Sequence, residues 1–141
     1  MKNLIIILTF LFSGYFTAQT EFTENQLVGK WIVKEVFINT DNKEIKNVMN
    51  GIIGASFNFK ADKNFELMAS SQSENLSEFF EMMNNNQWNF NLDKQIVKIG
   101  VRKNKYSVAD IKLEIFQEKT YFILCAEADT PDVMLQVEKS N

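Results

Sequence analysis

Phe57-Asn58-Phe59-Lys60-Ala61-Asp62-Lys63-Asn64-Phe65-Glu66-Leu67 reads as two strands and a turn. Apolar residues hold every second position on either side of a short polar centre, the period of a strand that buries one face. Ala61-Asp62-Lys63 is polar and compact enough to reverse the chain, so the stretch predicts an antiparallel hairpin.

The same alternation recurs on both sides of this hairpin. Trp31, Val33 and Phe37 alternate before it. Leu67 and Ala69 extend its second arm, and Trp88, Phe90 and Leu92 follow. Next come Val97, Ile99 and Val101, then Ile111, Leu113 and Ile115. Tyr121 to Ala126 is apolar on both parities, and Val133, Leu135 and Val137 close the series. Eight strands result, with the single proline, Pro131, outside all of them, where its missing N–H harms no ladder.

Short and long connections alternate. Residues 61–63, 93–94 and 118–119 are tight turns, whereas Asn39–Gly51, Ser70–Gln87, Arg102–Tyr106 and Glu127–Pro131 are longer links. In an up-and-down meander the tight turns gather at one end and the long links at the other. An all-β chain of eight antiparallel strands closes into a barrel without sheet edges, with room for side chains or one small ligand. The short-turn end is then closed and the long-loop end is the mouth. Between strands 3 and 4, Leu76, Phe79, Phe80 and Met83 fall on one helical face, and Asn75 with Glu78 is a capping-box variant, predicting a short helix over 75–84. That helix either plugs the barrel end or covers a cavity. Thr23 with Gln26, ending at Gly29, predicts another helical turn before the first strand.

The first 18 of the 141 residues differ from the rest. Lys2 precedes an apolar run, Leu4 to Phe12, and a softer stretch ends at Ala18, the pattern of a secretory signal peptide. The run is too short to span a bilayer. The expected organisation is a signal peptide over 1–18 and one barrel domain over 19–141, periplasmic or secreted and not stably inserted in a membrane. One of the 15 bases and none of the 18 acids lie in that segment, leaving a net charge of −4 beyond it, which argues against nucleic acid as a partner. With no histidine and one cysteine, Cys125, the chain lacks the residues for Ser-His-Asp or Cys-His catalysis, common zinc sites and an intramolecular disulfide. No carboxylate pair stands out, and no cofactor or metal is expected. The expected protein is a monomer and not an enzyme.

Gly29-Lys30-Trp31 at the start of the first strand resembles the Gly-x-Trp signature of the lipocalins and related calycin barrels. With Leu27-Val28 before it, and with Phe57–Phe65 and Trp88–Leu92, the chain resembles the small exported bacterial lipocalin-like domains over about residues 23–139. The resemblance implies that Trp31 packs inside the closed end beneath a basic residue of the last strand. Lys139 shares parity with Val133, Leu135 and Val137 and is the candidate, where lipocalins usually place arginine. The chain departs from typical lipocalins in lacking a disulfide and a helix after the last strand.

The resemblance also implies a small apolar or amphipathic ligand in the barrel. Phe57, Phe65 and Phe90 would line it, with Phe37 inward by parity and Phe79 and Phe80 touching the ligand from the mouth helix. Strict alternation points Glu35 inward too, to anchor a polar group, whereas a bulge would turn it to solvent. The competing function is a protein-interaction or inhibitor module with a barrel filled by its own large side chains. Interior volume separates the two.

Overall fold

The computed structural model describes residues 21–70, 76–124 and 132–141. Residues 1–18, expected as a signal peptide, and Asn75, Cys125 and Pro131 lie outside these residues. Strands β1 (Gly29–Ile38), β2 (Ser56–Phe59), β3 (Asn64–Met68), β4 (Asn86–Asn91), β5 (Ile96–Gly100), β6 (Ala109–Phe116), β7 (Lys119–Leu124) and β8 (Val133–Lys139) form one closed barrel. Each pairs antiparallel with its sequence neighbours, and β8 returns to pair with β1. The eight-stranded meander is therefore as expected. Helix α1 (Glu24–Leu27) precedes β1, α2 (Lys43–Asn50) lies between β1 and β2, and α3 (Ser77–Met83) between β3 and β4. Among the described residues, no helix is long and apolar enough to cross a membrane.

The tight turns collect at one end. Gln117 and Glu118 both take left-handed φ, 49° and 65°, the geometry of a two-residue hairpin turn. In the β2–β3 turn, Asp62 accepts from the Asn64 backbone N–H at 2.9 Å, and this bond holds its carboxyl below the usual range. Glu66 is lowered as well, chiefly by its 2.5 Å bond from Lys60. Carboxyls with depressed folded pKa values stabilise the fold above their unfolded pKa values, and this contribution disappears as pH falls through the folded ones. Acid titration should therefore lower the thermal midpoint below the ordinary carboxylate range, and Glu66→Gln should flatten that limb.

β1 carries a bulge. Val33 pairs with Val137, but the next matched pair is Glu35 with Gln136, so Lys34 is an extra residue. One extra residue exchanges the faces for everything after it. Trp31 and Val33 are buried before the bulge, whereas Val36 and Ile38 pack on the core after it. Phe37 consequently points outward, correcting the inward position that parity assigns it, and Glu35 points outward as the bulged alternative has it. Phe37 is 45% exposed.

Residues 43–50, expected as part of a plain link, form α2. Asn42 caps it, accepting from the N–H groups of Glu44 and Ile45 at 2.9 and 3.2 Å, and Val48 and Met49 pack on the core. In α3, Leu76 and Met83 are buried while Phe79 and Phe80 are half-buried. Leu76 occupies the N-cap position and makes no side-chain capping bond.

The seam between β3 and β4 is short, with only Asn64–Gln87 and Phe65–Asn86 in register. Beyond it, the Asn84 amide takes the place of a strand: its Oδ1 accepts from Leu67 N–H at 2.7 Å and its Nδ2 donates to Leu67 C=O at 2.9 Å. Asn86 Nδ2 donates to the carbonyls of Met82 and Met83 at 2.8 and 3.0 Å, tying down the end of α3. Asn84→Ala would leave both Leu67 groups without these bonds and should cost about 1–3 kcal/mol in chemical denaturation, with faster exchange of the Leu67 amide.

Candidate binding surfaces

The sequence-assigned residues fall in four places. The first is the closed end. Trp31, 5% exposed, donates from Nε1 to Leu27 C=O at 2.8 Å and meets Phe22 edge-on at 5.8 Å between centroids. Lys139 Nζ stands 5.6 Å from the Trp31 ring centroid and donates to Gln26 C=O at 2.8 Å. Gly29 sits beneath the lysine stem: its φ is +132°, and a Cβ there would approach Lys139 Cε to 2.7 Å. The strap before β1 is held at further points. Gln95 accepts from Phe22 N–H at 2.7 Å and donates to Phe22 C=O at 3.1 Å, while Lys63 pairs with Glu24 and lies 4.1 Å from the Trp88 ring centroid. Both arms of the Thr23–Gln26 capping box are formed.

The second place is the interior, where Phe57 and Phe65 stand 6.1 Å apart, fully buried. They belong to a larger aromatic cluster. Phe122 meets Trp31, Phe57 and Phe59 at 5.6, 5.7 and 5.9 Å, and Phe59 reaches Trp88 at 5.6 Å. The rings thus span the barrel from β1 across to β4. Phe90, assigned to the same lining, is half-buried near the closed-end turn.

The third place is the mouth. Phe79 and Phe80 pack edge-on at 6.0 Å on α3, partly buried against the core. Ile52, Leu76 and Met83 are buried with them on the long-loop side.

The fourth place is the outer wall, where the bulge brings Glu35 and Phe37. Register aligns Glu114, Tyr121, Gln136 and Glu35 in one row across β6, β7, β8 and β1. The next row towards the mouth is Lys112, Ile123, Met134 and Phe37. Phe37 and Tyr121 tilt together at 6.4 Å, and Phe116, 63% exposed, bounds the other side. A depression of about 380 Å³ lies among Phe37, Glu114, Phe116, Tyr121 and Met134. It adjoins a second of about 660 Å³, which shares Phe37 and Met134 and reaches Lys46 and Asn50 of α2. The structure therefore does not assemble Glu35, Phe37, Phe57, Phe65, Phe79, Phe80 and Phe90 into one pocket. The wall residues Tyr121, Met134 and Gln136 were missed because outward strand positions look like ordinary surface in a sequence. Their one signal is the run of apolar residues on both parities from Tyr121. Among the described residues, no three acidic or thiol groups converge to hold a metal.

This geometry defines a closed, antiparallel eight-stranded β-barrel with an aromatic interior. No protein-family model, curated protein or solved structure matches the chain.

Proposed function

We propose that this chain is an exported, lipocalin-like barrel that works as a binding module from its outside, its interior serving as a structural core. The observation that carries the reading is the packing of Trp31, Phe57, Phe59, Phe65, Trp88 and Phe122 against one another across the barrel, all 5% exposed or less. Rings already in van der Waals contact leave no space for a ligand among them. Large exposed aromatics, meanwhile, gather on the wall of β6, β7, β8 and β1. Export rests on the basic, then apolar, then small-residue pattern of Met1–Ala18 and implies a periplasmic or secreted protein. The Gly29–Trp31–Lys139 arrangement supports the lipocalin-like assignment.

Native mass spectrometry of the protein purified from its own host tests the reading. The bare chain mass is expected, and a retained apolar molecule would overturn it. The mouth helix offers a second test. Phe79→Ala with Phe80→Ala should cost about 2–4 kcal/mol, since both rings are partly buried, and a fluorescent fatty-acid-like probe should bind neither before nor after. Weakened probe uptake at little cost in stability would mean that α3 is a lid over a hollow barrel.

A further inference from the structure

Gln136 is an anomaly on the outer wall. Its neighbours Leu135 and Val137 point inward, so its side chain points out, yet it is only 7% exposed. No hydrogen bond engages its side-chain amide among the described residues, whereas no fully sealed polar side-chain atom there lacks a partner. What remains exposed on Gln136 is therefore the amide itself, opening into a groove of about 430 Å³ beside Lys119 and Glu138. Tyr121 flanks it in register on β7 and Glu35 on β1.

The charges around this row cancel. Lys34 pairs with Glu138 at 3.7 Å and Lys112 with Glu114 at 2.7 Å, leaving Glu35 and Glu118 against Lys119 and Lys139, two charges of each sign. Such a surface selects neither an anion nor a cation. A protein interface concentrates apolar area at its centre and polar groups at its rim. Here the order is reversed: the middle row is Glu-Tyr-Gln-Glu, and the apolar rings of Phe37 and Phe116 stand on either side.

We propose that this wall is a carbohydrate-binding face that takes a neutral oligosaccharide, deepening the outside-binding reading on which it rests. Each unmet group has its complement in a sugar. The Gln136 amide both donates to and accepts from hydroxyls, and the Glu35 carboxylate accepts from them. The polarised C–H bonds of a pyranose face meet the negative faces of Phe37 and Tyr121. Three interstrand steps of about 4.8 Å make the row roughly 14 Å long, enough for a short chain of rings.

The test is titration of the isotope-labelled protein with maltotriose, cellotriose, mannotriose and chitotriose, followed by amide chemical shifts. At least one sugar should give saturable shifts at Glu35, Tyr121 and Gln136, with a Kd of about 1 mM or tighter. Gln136→Met should weaken that binding about tenfold, and Phe37→Ser, at an exposed position that leaves the fold intact, should do the same. Absence of saturable shifts with all four sugars overturns the carbohydrate assignment, as does undiminished binding by both variants. Shifts confined to α3 and the mouth loops would overturn the outside-binding reading together with it, and a retained apolar mass would overturn that reading alone.

Discussion

Trp31→Ala should be among the most destabilising substitutions in the chain, costing about 3–5 kcal/mol in urea or guanidinium unfolding. The indole does more than fill space. Its N–H is the anchor for the Leu27 carbonyl, its ring packs perpendicular to Phe22, and its face lies under Lys139. Removing it opens a cavity and releases the strap that seals the barrel. Trp31→Phe should recover the volume term while losing the bond to Leu27, and so should cost less than the alanine change by a clear margin. A loss below about 1 kcal/mol for Trp31→Ala would mean that the closed end is not the keystone described here.

Phe122→Ala should cost a similar amount, about 3–5 kcal/mol, for a different reason. Phe122 is the ring on which the two halves of the aromatic cluster converge, touching Trp31 on β1 and both Phe57 and Phe59 on β2. Its removal leaves an apolar void that no neighbour can fill without moving another ring. The same variant probes whether the interior is full. If native packing excludes ligands, the void should admit a small molecule such as benzene that the parent does not bind, with a rise in the thermal midpoint of the variant alone. Benzene binding by the parent protein would contradict the filled interior.

Much of this fold is legible because one periodicity dominates. The parity of Phe57, Phe59, Phe65 and Leu67 sets their inward face, and the compact turns expected at 61–63, 93–94 and 118–119, the last of them formed by Gln117 and Glu118, set the meander. Lys139 falls beside Trp31 once the last strand is known to run against the first. Parity fails where a single residue resets it. Ile32-Val33-Lys34-Glu35-Val36-Phe37 places apolar residues on both parities around two adjacent charges, so the bulge has a trace in the sequence. Without the partner strand, that trace cannot say which charge is extra. Register decides Phe122 in the same way. Tyr121, Phe122 and Ile123 are all apolar, and only the pairing of Phe122 with Leu135 turns it inward.

Polar segments hide structure for another reason. Asp41-Asn42-Lys43-Glu44 looks like a solvated link, yet Asn42 caps α2, and Ile45, Val48 and Met49 supply its weak apolar stripe. Asn84-Asn85-Asn86 resembles low-complexity sequence. In the structure, one of its amides substitutes for a strand and another ties off a helix, roles that depend on where Leu67 and Met83 lie in space. The candidate site was less legible than the fold. Parity turns Phe37 inward and leaves Glu35 either inward or bulged outward, and only the pairing with β8 turns both to the outer face.

The bulge has an evolutionary counterpart. Between Trp31 and Ile38, Lys34 is the one residue of β1 without a counterpart on β8. Because it is extra, loss of its codon would leave Glu35 opposite Gln136, Val36 opposite Leu135 and Phe37 opposite Met134, removing the bulge while every side chain keeps its face. Gain of a codon in an unbulged strand would do the reverse, adding a residue that the sheet takes up without disturbing lining or surface. A one-residue change of length that slipped the register would exchange the two along half a strand; taken up as a bulge, it changes neither. β1 is therefore the place where this barrel can absorb an insertion or a deletion.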